Sequence, residues 1–182
     1  SLGGYMSRNF LLIIAGIYIS LEQLAEYGVT VQVVSVISSM SAVYINTFLV
    51  KVSYYWINND TYSIKKLYQK GLFISLLFYF GSSFILLQFG NKILLFLNSK
   101  TLLLENSYLL ILLLLSFFEI IIIISGNILL SKNSVPFFKS SLLSGLAIVL
   151  LTFLFVEYFE FQLWSFIVAP IIVQVSYNLW KW

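Results

Sequence analysis

The chain has 182 residues, 60% hydrophobic and only 9% charged, with a mean hydropathy of +0.99, which is more apolar side chain than a water-soluble core of this size can bury. Its net charge of +3 comes from lysines dispersed between apolar runs rather than gathered into a patch, which argues against a nucleic-acid surface and for membrane anchoring. With no cysteine and no histidine, the chain offers no disulfide, no thiolate metal site and no imidazole base, so it reads as a non-enzyme with no cofactor.

The charges divide the chain into gaps that can be set against the ~20 apolar residues a spanning helix needs. The first segment, 1–21, holds "NFLLIIAGIYIS" with 13 uncharged residues between Arg8 and Glu22. It reads as a span with Arg8 inside the membrane or at its edge, not as a signal peptide, because no small-residue cleavage site follows. The chain begins at Ser1 rather than Met, and we expect it to be a fragment. A second span, 28–50, fits the 24 uncharged residues between Glu26 and Lys51, and a third, 71–90, fits the 21 between Lys70 and Lys92. The stretch "NKILLFLNSKTLLLE" (91–105) is too short between charges to span and reads as an amphipathic surface turn. A fourth span, 106–131, lies in the 26 residues between Glu105 and Lys132, interrupted only by Glu119. The fifth, 139–156, and sixth, 161–181, fit gaps of 17 and 20 residues. The expectation is an all-α, polytopic transmembrane bundle of about six helices forming one unit over 1–182.

With six alternating spans, one set of ends holds Lys51, Lys65, Lys66, Lys70, Lys132, Lys139 and Lys181, and the other holds Lys92 and Lys100. Lysine excess marks the cytoplasmic side, so the loop after the second span and the C-terminal end are expected there. Trp56, Trp164, Trp180 and Trp182 fall at span boundaries, the level that amphipathic rings favour.

A carboxylate in mid-span costs roughly 2.5 to 3.5 kcal/mol on insertion-type scales. Glu119 is 14 residues from Glu105 and 13 from Lys132, about 20 Å from either end at ~1.5 Å per residue, too deep to snorkel. At 100° per residue Tyr108, Ser116, Gly126 and Asn127 fall on its side of the helix. The second span carries Gln32, Ser35, Ser39, Ala42 and Asn46 at spacings of three and four, and the last carries Pro170, Gln174, Tyr177, Asn178 and Lys181. Small and polar residues in lipid either glue helices together or line a hydrated path. For the serines, including Ser140, Ser141 and Ser144 of the fifth span, packing is the simpler reading; for the amides both stand, and for Glu119 a functional role is favoured.

Three stretches, "LAEYGVTVQVVSVISSMSAVYINTFLVKVS" (24–53), "SKNSVPFF" (131–138) and "APIIVQVSYNLWKW" (169–182), together resemble the C-terminal half of Wzx-type O-antigen flippases, members of the multidrug, oligosaccharidyl-lipid and polysaccharide exporter superfamily. The resemblance implies one six-helix lobe of a two-lobe transporter in the bacterial inner membrane, whose substrate is a polyprenyl-pyrophosphate-linked oligosaccharide. Its implied partners are the missing N-terminal lobe, polysaccharide polymerase machinery and a coupling proton or sodium ion. It also implies that Arg8 lines the cavity and attracts the pyrophosphate, although a cytoplasmic-end anchor fits Arg8 equally. Where such proteins often carry a proline after the second helix, this chain reads "NTFLVK". A cation-coupled multidrug antiporter of the same architecture and a non-transporting scaffold are the alternatives; a membrane glycosyltransferase would need acidic metal ligands, and Asp60 is the only aspartate.

Overall fold

A computed structural model describes residues 2–132, 138–159, 162–174 and 176, with side chains at 10–132, 139–158, 163–174 and 176. The described chain is all helical: α1 (Leu2–Tyr18), α2 (Leu21–Thr47), α3 (Leu49–Ile57), α4 (Thr61–Phe96), α5 (Asn106–Leu130), α6 (Phe138–Phe159), a 3-10 turn (Gln162–Trp164) and α7 (Ser165–Val173). Four helical stretches, Leu21–Thr47, Thr61–Phe96, Asn106–Leu130 and Lys139–Tyr158, are long and apolar enough to cross a membrane. The first expected span corresponds to the 17-residue α1; of the sixth, 161–181, the 3-10 turn, α7 and residues 174 and 176 are described, and the rest of that expectation lies outside the described residues.

Residues 91–96, expected in a surface turn, are instead the last turns of α4. At 36 residues that helix is about 54 Å long, well beyond the ~30 Å hydrocarbon thickness. Lys92 marks where the uncharged run ends, not where backbone hydrogen bonding ends. The helix stops at Asn98, which takes the left-handed conformation at φ 57. There Ser99 N–H donates to Leu94 O and Asn98 N–H to Leu95 O, both at 3.0 Å, a Schellman closure. The Asn91 side chain then accepts the Leu103 N–H at 2.8 Å and folds the following loop back. Asn59, at φ 55, closes α3 in the same way through Asp60 N–H to Tyr55 O at 2.9 Å. Asp60 is the N-cap of α4, accepting the Ser63 N–H at 3.0 Å. The Ser63 hydroxyl and then its backbone N–H hold the Asp60 carboxyl below the usual carboxylate range, so this cap is lost only as pH falls through that lowered value.

The second span breaks at Phe48 although it lacks proline. Thr47 Oγ1 donates to Tyr44 O at 2.7 Å, a back-bond that bends helices. Phe48 N–H then tightens onto Ile45 O at 3.0 Å, and α3 begins at the next residue.

Two apolar clusters hold the bundle. Val34, Ile45, Val52, Ile64, Tyr79, Ile120 and Ile124 join α2 to α5. Leu11, Ala15, Ile148, Phe166 and Ile167 join α1, α6 and α7, with Tyr27 of α2 and Leu112 of α5 reaching in. At one end of the bundle the end of α3 meets the end of α5, where Ser53 Oγ donates to Ser131 O and Trp56 Nε1 to Ile128 O, each at 3.2 Å. At the other end Thr30 Oγ1 accepts the Leu104 N–H at 2.9 Å, and Tyr18 donates to Glu157 at 3.0 Å.

Candidate functional site

Helix α5 is the hub of the polar contacts. Glu119 lies one residue past the centre of this 25-residue helix and is half-buried. Gln174 Nε2 donates to its Oε1 at 3.4 Å, longer than the usual 2.7–3.2 Å and correspondingly weak. One turn before Gln174, Pro170 sits inside α7, and residues 174 and 176 adopt the wide π-helical turn that recurs at functional sites. Two expected site residues from different helices are thus brought together near the middle of α5.

A second pair forms nearer the lysine-rich end. Asn127 Nδ2 donates to Asn46 Oδ1 at 2.8 Å, joining α5 to α2. Asn46 is exposed and Asn127 half-buried, so this bond rims the surface of the bundle instead of filling its core.

Of the rest of the α2 stripe, Gln32 and Ser39 are exposed and Ser35 is half-buried, but Ala42 is buried; Val34, Ser38, Ser41 and Ile45 carry the buried face. The two sets lie roughly 110° apart around the helix. Ser39 Oγ donates to its own helix at Ser35 O, 2.8 Å away, so it does not link helices. Arg8 belongs to α1, but its side chain, like Asn178 entirely, lies outside the described residues.

Not every residue grouped with Glu119 shares its surroundings. Ser116 is buried against α4, where the Tyr79 hydroxyl bonds both Ser116 and Leu113 O, and Gly126 is buried too. These are packing residues, as are the buried Ser144 and Gly145 of α6. The stripe that sequence reasoning passed over is on α4, where Gly71, Ser75, Tyr79 and Ser83 recur every fourth residue and are all buried. Four-residue spacing of small and hydroxyl residues is the available signal, and it reports close helix packing.

Chemically, this arrangement offers one titratable carboxylate, four amides and two serines along an apolar bundle. It can hydrate a polar headgroup, pass a proton or touch a cation. Among the described residues no three carboxylate, histidine or cysteine side chains gather as a metal site would require. Compared with protein-family models, curated proteins and solved structures, the chain matches none.

Proposed function

We propose that this chain is one lobe of a membrane flippase that moves a polyprenyl-pyrophosphate-linked oligosaccharide from the cytoplasmic to the outer leaflet of a bacterial inner membrane. The observation that carries a transport role is the exposed amide and hydroxyl stripe of α2, with the Asn46–Asn127 pair at its edge, on a helix otherwise apolar enough to span. In lipid such a face is costly; against a facing lobe across a water-filled cleft it is not. Alternating access in two-lobed transporters is rocking of such bundles about a midplane site, which is the depth of Glu119 and Gln174. The particular substrate rests on the sequence resemblance. The lysine-rich end faces the cytoplasm in this reading, and Glu119 exchanges a proton or sodium ion or touches the sugar.

A cation-coupled multidrug antiporter of the same architecture is the second reading; it calls for a carboxylate-rich cavity, and Glu119 is the one carboxylate the candidate site offers. One experiment separates them. In a strain lacking its own lipid-linked oligosaccharide flippase, this chain co-expressed with a facing lobe restores surface polysaccharide, and this chain alone does not. Restoration by this chain alone contradicts the half-transporter reading, and efflux of cationic dyes without polysaccharide display favours the antiporter.

A further inference from the structure

At the lysine-rich end, α3, the start of α4 and the end of α5 enclose an open groove of about 330 Å³. Its floor is apolar, from Ile64, Ile128 and Leu129, and Trp56 and Tyr68 stand along it. Both rings are held in place: Trp56 Nε1 donates to Ile128 O at 3.2 Å, and the Tyr68 hydroxyl bonds Ser125 Oγ at 3.0 Å. Lys65 lines the groove, and the Lys132 ammonium lies 5.0 Å over the Trp56 ring. Lys66 follows on α4 and is exposed. The neighbouring acid, Asp60, is turned to the Ser63 N–H as the α4 cap. Three ammonium groups against one carboxylate leave a local charge of +2.

The depth is that of lipid headgroups. The uncharged stretch of α4 begins only after Lys70, so residues 61–68 stand beyond the hydrocarbon by one to three turns, whereas Ser125 and Ile128 of α5 still lie within the apolar run that ends at Lys132. The groove therefore runs from the headgroup layer down to the acyl boundary, walled by two aromatic rings of the kind enriched at that level.

We propose that this groove is a binding site for an anionic phospholipid, its phosphate between Lys65 and Lys132 and the first carbons of one acyl chain on Ile64, Ile128 and Leu129. The net positive rim selects an anionic over a zwitterionic headgroup, and the apolar floor selects a lipid over a free anion. Basic pockets between helices on the lysine-rich side are suited to such headgroups. The site does not depend on what the protein transports.

The test uses the full chain purified in a non-ionic detergent, with lipid retention measured by native mass spectrometry during titration with phosphatidylglycerol or phosphatidylcholine. Each lysine near a charged lipid headgroup contributes roughly a fivefold preference. Lys65→Ala with Lys132→Ala should therefore weaken phosphatidylglycerol binding about thirtyfold and leave phosphatidylcholine binding unchanged. Lys92→Ala with Lys100→Ala removes the same charge at the opposite end and should leave both unchanged. Leu129→Trp, which fills the groove and keeps the lysines, should weaken phosphatidylglycerol as well. Undiminished phosphatidylglycerol binding in the Lys65/Lys132 variant would overturn the proposal. So would an equal loss in the Lys92/Lys100 control, or displacement of the lipid by inorganic phosphate alone.

Discussion

On the proposed flippase reading, Glu119→Leu should leave the protein at normal level and at least as stable in the membrane, yet abolish polysaccharide display. Leucine removes an insertion cost of roughly 2.5 to 3.5 kcal/mol. The bond lost to Gln174, at 3.4 Å, is worth about 0.5 to 1.5 kcal/mol even at full strength, less than that insertion cost. A stability gain paired with a transport loss separates function from packing. Glu119→Gln keeps shape and hydrogen bonding but removes the titratable group, and it should fail similarly if the carboxylate carries a proton or cation. Immunoblotting and thermal melts check the first half, and surface polysaccharide in a flippase-deficient strain the second. Normal display from a well-expressed Glu119→Leu protein would end the functional reading of this residue.

Gly71→Val produces the opposite result, a loss of stability through packing. A Cβ at Gly71 would lie 2.5 Å from Ile45 Cδ1 and 3.3 Å from its Cγ1, and Ile45 is fully buried, so it has nowhere to swing. Overpacking of this kind costs about 1 to 3 kcal/mol, read as a melting temperature lowered by several degrees. Gly81 of the same helix has nothing within 4 Å of its would-be Cβ, and Gly81→Val should melt with the wild type. Equal melting of the two variants would mean that α2 and α4 do not pack through Gly71.

The charge gaps in the sequence fall on α2, α4, α5 and α6, because the charges other than Glu119 are kept to the ends of the apolar runs. They do not locate helix ends, which depend on backbone closure. Asn98 and Asn59 terminate helices by turning left-handed, in the case of α4 six residues beyond Lys92, where the apolar run ends. The break at Phe48 is hidden for a similar reason, since a threonine back-bond does there what a proline does elsewhere. Individual polar residues of the candidate site are legible, but their neighbours are not. Periodicity assigns Asn46 and Asn127 to faces of separate helices and says nothing of their 2.8 Å meeting. It also places Ser116 beside Glu119, whereas packing turns Ser116 onto Tyr79.

The central claim is that the α2 stripe meets water and not lipid. The chain has no cysteine, so Ser39→Cys creates a single reporter at an exposed stripe position, and a thiol reacts only as its thiolate, which forms in water. With the facing lobe present in native membranes, a charged methanethiosulfonate reagent should modify Ser39→Cys. Leu77→Cys, on the exposed apolar face of α4, should resist it, and Tyr62→Cys at the lysine-rich end should react only after the cells are opened. Modification of Ser39→Cys no faster than Leu77→Cys would place the stripe in lipid or in a dry interface and contradict the account.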